Sequence, residues 1–90
     1  MYAALICIDK ADHLQTRLDT RPAHGEYLKT TGDVVFAGPF LNEAGDMTGS
    51  LLVIEVENLA AAQAWADADP YAKAGLFESV TIREWKKVIG

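Results

Sequence analysis

Residues Tyr2–Ile8 form an apolar run without alternation, with Leu5, Ile6, Cys7 and Ile8 side by side before Asp9 breaks it. The run is too short for a helix of ordinary length and reads as a strand. A strand with one face in water alternates apolar and polar residues. This one places Ala3, Leu5 and Cys7 on one face and Ala4, Ile6 and Ile8 on the other. The segment Ser50–Glu57 repeats the pattern, with Leu52, Ile54 and Val56 opposing Leu51 and Val53. The sheet built from these strands therefore needs a cover on both faces.

The rest of the chain supplies the elements around them. Residues 11–31 read as a helix with Leu14, Leu18 and Leu28 near one face, capped by Asp9 or Asp12. Pro22 interrupts it, so the helix either bends or restarts there. Gly32 ends it, as a left-handed C-terminal residue does. Val34–Ala37 is a short second strand stopped by Gly38-Pro39, and residues 41–49 form a turn-rich loop. Asn58 caps an alanine-rich helix, Leu59–Ala68. Asp69-Pro70 starts a second short helical piece that ends near Gly75. Phe77–Trp85 is the last strand. The order strand, helix, strand, strand, helix, strand predicts a ferredoxin-like βαββαβ sandwich of the α+β class. It has an antiparallel four-stranded sheet with two helices on one face. Two helices cover one face only, and an uncovered apolar face on a small protein marks an interface. We therefore expect a homodimer packed through the sheet face.

The chain has 90 residues, with 8 Lys+Arg against 13 Asp+Glu and a formal net charge of −5. This length makes residues 1–90 a single domain. Net acidity and the lack of a basic patch argue against nucleic acid as a partner. No apolar run approaches the roughly 18 residues of a membrane span, and no basic stretch precedes the first apolar run as in a secretory signal. The single cysteine, Cys7, closes no disulfide within the chain and points to a reducing cytoplasm.

Few residues can carry chemistry. On an ideal helix His24 lies about 40° from Leu28 and about 20° from Arg17, so it borders the buried stripe. Histidine exchanges protons near neutral pH, although spacing alone fits a structural half-buried histidine as well. His13 reads as a surface residue. Asp69 caps the helix opened by Pro70, and a second carboxylate oxygen leaves it free to orient an imidazole. Asp67 is its rival, without the proline. Ser50 follows Gly49 beside the loop and offers a hydroxyl, but no nucleophile elbow surrounds it. Gly38-Pro39 makes a turn whose backbone can approach a ligand. Arg17 and Arg21 lie on the His24 side of their helix. They pair either with an anionic ligand or with surface carboxylates, the latter being the default. His13 and His24 lack the spacing of a helical zinc pair, and there is no phosphate loop or dinucleotide fingerprint. No metal and no cofactor are expected.

In order along the chain stand Arg17, Arg21 and His24-Gly25-Glu26-Tyr27-Leu28, then Ala37-Gly38-Pro39-Phe40. Gly49-Ser50, Asp69-Pro70-Tyr71 and Gly75-Leu76-Phe77 follow, with a terminal strand ending near Trp85. Taken together over nearly the whole chain, these motifs resemble the YCII-related (YciI-like) family. The resemblance implies a dimeric α+β barrel and a cleft with a His–Asp pair, here His24 and Asp69. It places Ser50 and Tyr71 on the cleft walls. It further implies small-molecule chemistry, since one branch dehydrochlorinates a chlorinated hydroxyquinol-type ring. Gly25 is a departure, because a bulkier apolar residue commonly follows the histidine. It loosens the helix locally and is expected either to enlarge or to destabilise the cleft.

Two functions follow. One is a cofactor-independent enzyme for elimination, dehydrochlorination or isomerisation of a small cyclic acidic or phenolic molecule. His24 is its acid–base group and Asp69 its orienting partner. Ser50, Tyr71, Arg17, Arg21, Gly38 and Pro39 hold the substrate. The other is a non-catalytic dimeric module that binds a small ligand or regulates a partner. Turnover against stoichiometric binding separates them.

Overall fold

The computed structural model describes residues 1–90. Its elements are β1 (Tyr2–Asp9), α1 (Leu14–Thr31), β2 (Val34–Leu41), β3 (Met47–Glu55), α2 (Leu59–Ala68), α3 (Pro70–Lys73) and β4 (Phe77–Trp85). The strands form one sheet in the order β2-β3-β1-β4, with every neighbouring pair antiparallel. It follows that β1 and β2 are parallel with β3 between them, and β3 and β4 are parallel with β1 between them. Each helical crossover thus spans one intervening strand, the split βαβ arrangement of the ferredoxin-like α+β fold.

Several element boundaries differ from the sequence reading, for local reasons. The second strand does not stop at Gly38-Pro39 but runs to Leu41, because β2 is an edge strand and Pro39 sits where no ladder donor is required. The third strand starts at Met47, not Ser50, so the loop shrinks to the hairpin around Asn42–Asp46. There the Asn42 side chain accepts from the amides of Ala44 and Asp46. Helix α1 passes through Pro22 without restarting. Pro22 and Leu18 are both exposed, so the Leu18 carbonyl that loses its donor can turn to water. Neither Asp9 nor Asp12 caps α1. His13 holds the cap position without a side-chain cap bond, while Asp9 belongs to β1. Gly32 closes the helix at φ 69°, as expected.

The helix-facing side of the sheet carries Ala3, Leu5, Cys7, Leu52 and Ile54, all nearly inaccessible, packed against Ala62, Trp65 and Ala66 of α2. The indole of Trp65 donates to Thr31 Oγ1 at 3.2 Å, and the Tyr27 hydroxyl donates to the Trp65 carbonyl at 2.7 Å, tying the end of α1 to α2. No helix is long and apolar enough to cross a membrane.

No helix covers the other side of the sheet. The strand registers place Ala4, Ile6 and Ile8 there beside Leu51 and Val53. Phe36 and Trp85 come from opposite edge strands, yet their rings meet at 5.9 Å, and Tyr2 stands 6.3 Å from Trp85. This aromatic group leans over one end of the face and accounts for the burial of Val53 there. At the other end Ile8 stays 41% exposed.

Candidate functional site

Helix α1 inverts the usual amphipathic pattern. Its buried residues are Arg17 and His24, while Leu18, expected on the buried face, is 44% exposed. Leu28 is half-buried against the core. The chain buries four polar or charged residues, Arg17, His24, Ser50 and Asp69. Buried polar groups need partners. Arg17 finds them in Asp9 and Ser50, and His24 in Asp69, and no buried side-chain nitrogen or oxygen lacks one.

Asp69 sits between α2 and α3, with extended backbone at φ −61° and ψ 130°. Its backbone N–H closes α2 on the Ala66 carbonyl, and its Oδ1 accepts from the Tyr71 amide at 2.9 Å. The same Oδ1 accepts from His24 Nδ1 at 2.8 Å. Capping and imidazole contact thus share one oxygen instead of dividing between two. The rival Asp67 is exposed and accepts from Gln63 Nε2. His13 lies away from the cluster, with Nδ1 against the Ala11 carbonyl. An ionised carboxylate only accepts, so the bond assigns the proton of neutral His24 to Nδ1 and leaves Nε2 with a free lone pair.

Arg17 contradicts the default of a surface charge. It is 2% exposed and grips Asp9 with both Nε and a terminal nitrogen, at 2.7 and 2.8 Å. The terminal nitrogen also donates to Ser50 Oγ at 2.9 Å. Burial opposes its charge, but the bond to Asp9 and the charge of Asp9 outweigh it and hold the guanidinium above its ordinary pKa. Asp9, which the sequence offered only as a cap, is thus the counter-ion of the cluster. Its place at the end of an apolar strand, eight residues before an arginine, gives no periodic signal of this.

Tyr71 is 1% exposed and joins the two halves. Its ring stacks on His24 at 3.9 Å and 16°, and the Arg17 guanidinium lies over the ring at 4.6 Å. Burial raises the phenol's pKa above the usual tyrosine value despite the nearby arginines, so the ring is neutral at physiological pH. Burial also pushes the Cys7 thiol, beneath the cluster, up to about 12.

These side chains open on a cavity of about 200 Å³. Arg17, Arg21, His24, Gly25 and Leu28 of α1 form one wall. Gly38 and Pro39 of β2 face them, with Ser50 and Tyr71 also reaching the surface. Of the site residues singled out in the sequence, Arg17, Arg21, His24, Gly38, Pro39, Ser50 and Tyr71 line this cavity, and Asp69 reaches it only through His24. Ala37, Met47 and Leu52 complete the lining, and Met47 carried no sequence signal beyond its place in the loop. No three His, Cys, Asp or Glu side chains converge as metal ligands.

Fold and cluster together define a class: ferredoxin-like α+β proteins that place a buried histidine–carboxylate pair on a small cavity between a helix and the sheet. The YCII-related domain matches residues 1–86, and the chain belongs to that family. It is 47% identical over 89 aligned positions to the protein YciI of Escherichia coli O6:H1, an alignment covering 89% of this chain and 91% of that protein. It is 36% identical over 98 positions to an uncharacterised Haemophilus influenzae protein, covering 98% of this chain and 99% of the other. Among solved structures it superimposes on the 5-chloro-2-hydroxyhydroquinone dehydrochlorinase TftG of Burkholderia phenoliruptrix, in complex with 2,5-dihydroxybenzoquinone. The TM-score is 0.87 at 33% identity, over 96% of this chain and 94% of that one. An antibiotic biosynthesis monooxygenase shares the fold alone, at a TM-score of 0.60 and 11% identity.

Proposed function

We propose that this protein is a small-molecule enzyme that eliminates or isomerises a cyclic acidic or phenolic substrate by proton transfer at His24, without a cofactor. The observation that carries this is the buried His24–Asp69 bond of 2.8 Å at the cavity wall. It holds the ring in the tautomer whose Nε2 can accept a proton. The resemblance to a dehydrochlorinase supports the reaction class.

In the proposed step Nε2 of His24 takes a proton from the substrate. The electron pair left behind forms the new double bond, and a leaving group such as chloride departs with the electrons of its own bond, which for a phenolic ring requires the keto tautomer whose chlorine-bearing carbon is tetrahedral. The imidazolium is stabilised by Asp69 and then returns its proton to water. Tyr71 keeps the ring plane fixed by stacking, Ser50 and the Arg17–Asp9 pair hold the floor, and Gly38 and Pro39 bound the substrate from β2. The active species is a homodimer joined through the helix-free sheet face and works in the cytoplasm, where a lone buried thiol stays reduced.

The test is chloride release from 5-chloro-2-hydroxyhydroquinone by a catalytic amount of protein. Wild-type protein is expected to turn over, and His24→Ala to lose about 10²–10⁴-fold in rate. Equal rates in the two proteins sink the proposed role of His24. Stoichiometric binding without product favours the binding-module reading.

A further inference from the structure

Gly25 stands inside α1, where glycine weakens a helix relative to alanine. Two structural reasons can keep a glycine in such a place, and neither applies. Its φ is not among the positive values of the chain. A Cβ built on it meets no heavy atom of the surrounding structure within 4 Å. What Gly25 does border is the cavity, next to His24 and one turn beyond Arg21. The missing side chain therefore leaves room for a ligand.

The charge of the lining is as telling. The chain carries a net −5, yet no carboxylate lines the cavity. Of its two arginines, Arg17 is already neutralised by Asp9. The chain's two ion pairs are Arg17–Asp9 and His24–Asp69, so Arg21 has no carboxylate partner. The cavity's uncompensated positive charge lies on Arg21. In size, about 200 Å³ exceeds the roughly 150 Å³ that accepts benzene, which leaves space for one ring with small substituents.

We infer that the cavity selects a monocyclic organic anion, with its acidic group on Arg21 and its ring over Gly25, and that Gly25 sets the largest substituent admitted. The inference rests on the reading of this cavity as the substrate site and adds the substrate's charge and size.

The test uses 2,5-dihydroxybenzoquinone and its 3,6-dichloro derivative, two vinylogous acids that are anionic at neutral pH and differ only by two chlorines. Their binding is measured calorimetrically on wild type, Gly25→Ala, Gly25→Val and Arg21→Gln. Both probes are expected to bind wild type. Gly25→Val should weaken the dichloro probe at least tenfold more than the parent, with Gly25→Ala between. Arg21→Gln should weaken both at least tenfold and flatten their salt dependence. Gly25→Ala should also raise Tm, by about 4–8 °C, which shows that lost binding is not lost folding. An unchanged ratio between the probes in the Gly25 variants overturns the size assignment. Unchanged affinity in Arg21→Gln, or no binding to wild type at millimolar probe, overturns the anion assignment. Binding that follows the expected pattern without any chloride release upholds the inference and fails the catalytic role of His24, so the two are separable.

Discussion

Arg17 and Asp9 bury opposite charges with side-chain exposures of 3% and 6%. Removing one partner of such a pair strands the other charge. Arg17→Met is therefore expected to destabilise the protein by about 3–5 kcal/mol, measured by denaturant unfolding. Adding Asp9→Asn should recover a large part of the loss, and a double variant no better than the single one would refute the pairing. Arg17→Lys cannot hold Asp9 with a fork and reach Ser50 together, so it should not rescue. The His24–Asp69 bond has its own spectroscopic signature. In ¹⁵N NMR, neutral His24 should show the Nδ1–H tautomer. One oxygen serves both bonds, so Asp69→Asn can keep that tautomer, whereas Asp69→Ala removes the acceptor and should shift the ring toward Nε2–H. An unchanged tautomer in Asp69→Ala would leave Asp69 as a helix cap alone. Cys7 gives a pH prediction. Its thiol ionises at 9.0 in the unfolded chain and at about 12 when folded, so the folded state binds the extra proton. Its contribution is whole below pH 9 and is lost as pH rises toward 12, by up to about 1.4 kcal/mol per pH unit. Cys7→Ala should flatten this alkaline decline in chemical unfolding. Tyr27 and Tyr71, raised mainly by burial, act in the same direction above the ordinary tyrosine range.

Among the elements, α1 does the unusual work. It spans 18 residues with Pro22 inside, and its register carries Arg17, Arg21, His24 and Gly25 to the cavity. Pro22→Ala supplies the missing N–H and a better helix former, while losing some restraint of the unfolded chain. The expected gain is about 1–2 kcal/mol, read as a higher Tm. A fall in Tm would show that Pro22 contributes packing. On the sheet, Gly49 brings β3 so close to β1 that a Cβ would fall against the Cys7 carbonyl oxygen, with Phe40 Cδ2 at 3.1 Å. The next residue, Ser50, pairs with Cys7 and accepts from Arg17. The strands and α2 were legible in the sequence because apolar runs, Asn58 and Asp69-Pro70 are local signals. The site was legible in part. His24 could be placed beside Arg17 by helical angle, and Asp69 could be read as a cap, but the angle cannot say that polar residues occupy the buried stripe. Leu14, Leu18 and Leu28 looked like the core face because hydrophobic periodicity assumes that helices bury their apolar side. The Asp9–Arg17 pair stayed hidden because it depends on where β1 ends against α1, a tertiary fact. The path of α1 through Pro22 was undecided for a similar reason: the exposure of Leu18 and Pro22, which lets the unpaired carbonyl reach water, is a tertiary fact.

For the molecule as a whole, the proposed dimer rests on the helix-free face. Ile8, Phe36 and Trp85 on that side are 41%, 44% and 37% exposed. The meeting of Phe36 and Trp85 covers Val53 at one end but does nothing for Ile8 at the other. An apolar surface left so uneven favours a second copy over closure by the chain's own loops. Sedimentation should therefore find a dimer at micromolar concentration. Two copies each carrying −5 repel at long range, so screening by added salt should tighten the dimer. An assembly held mainly by ion pairs would loosen instead. Phe36→Glu and Ile8→Lys should each raise the dimer dissociation constant at least tenfold, and Ile8→Lys should leave the circular dichroism unchanged, because that side chain already meets water. Phe36→Glu also removes a partner from Trp85, so its effect on Tm must be measured beside it. A wild-type monomer with an unchanged fold would mean that the aromatic group is cover enough, and it would leave the cavity of each chain to work alone.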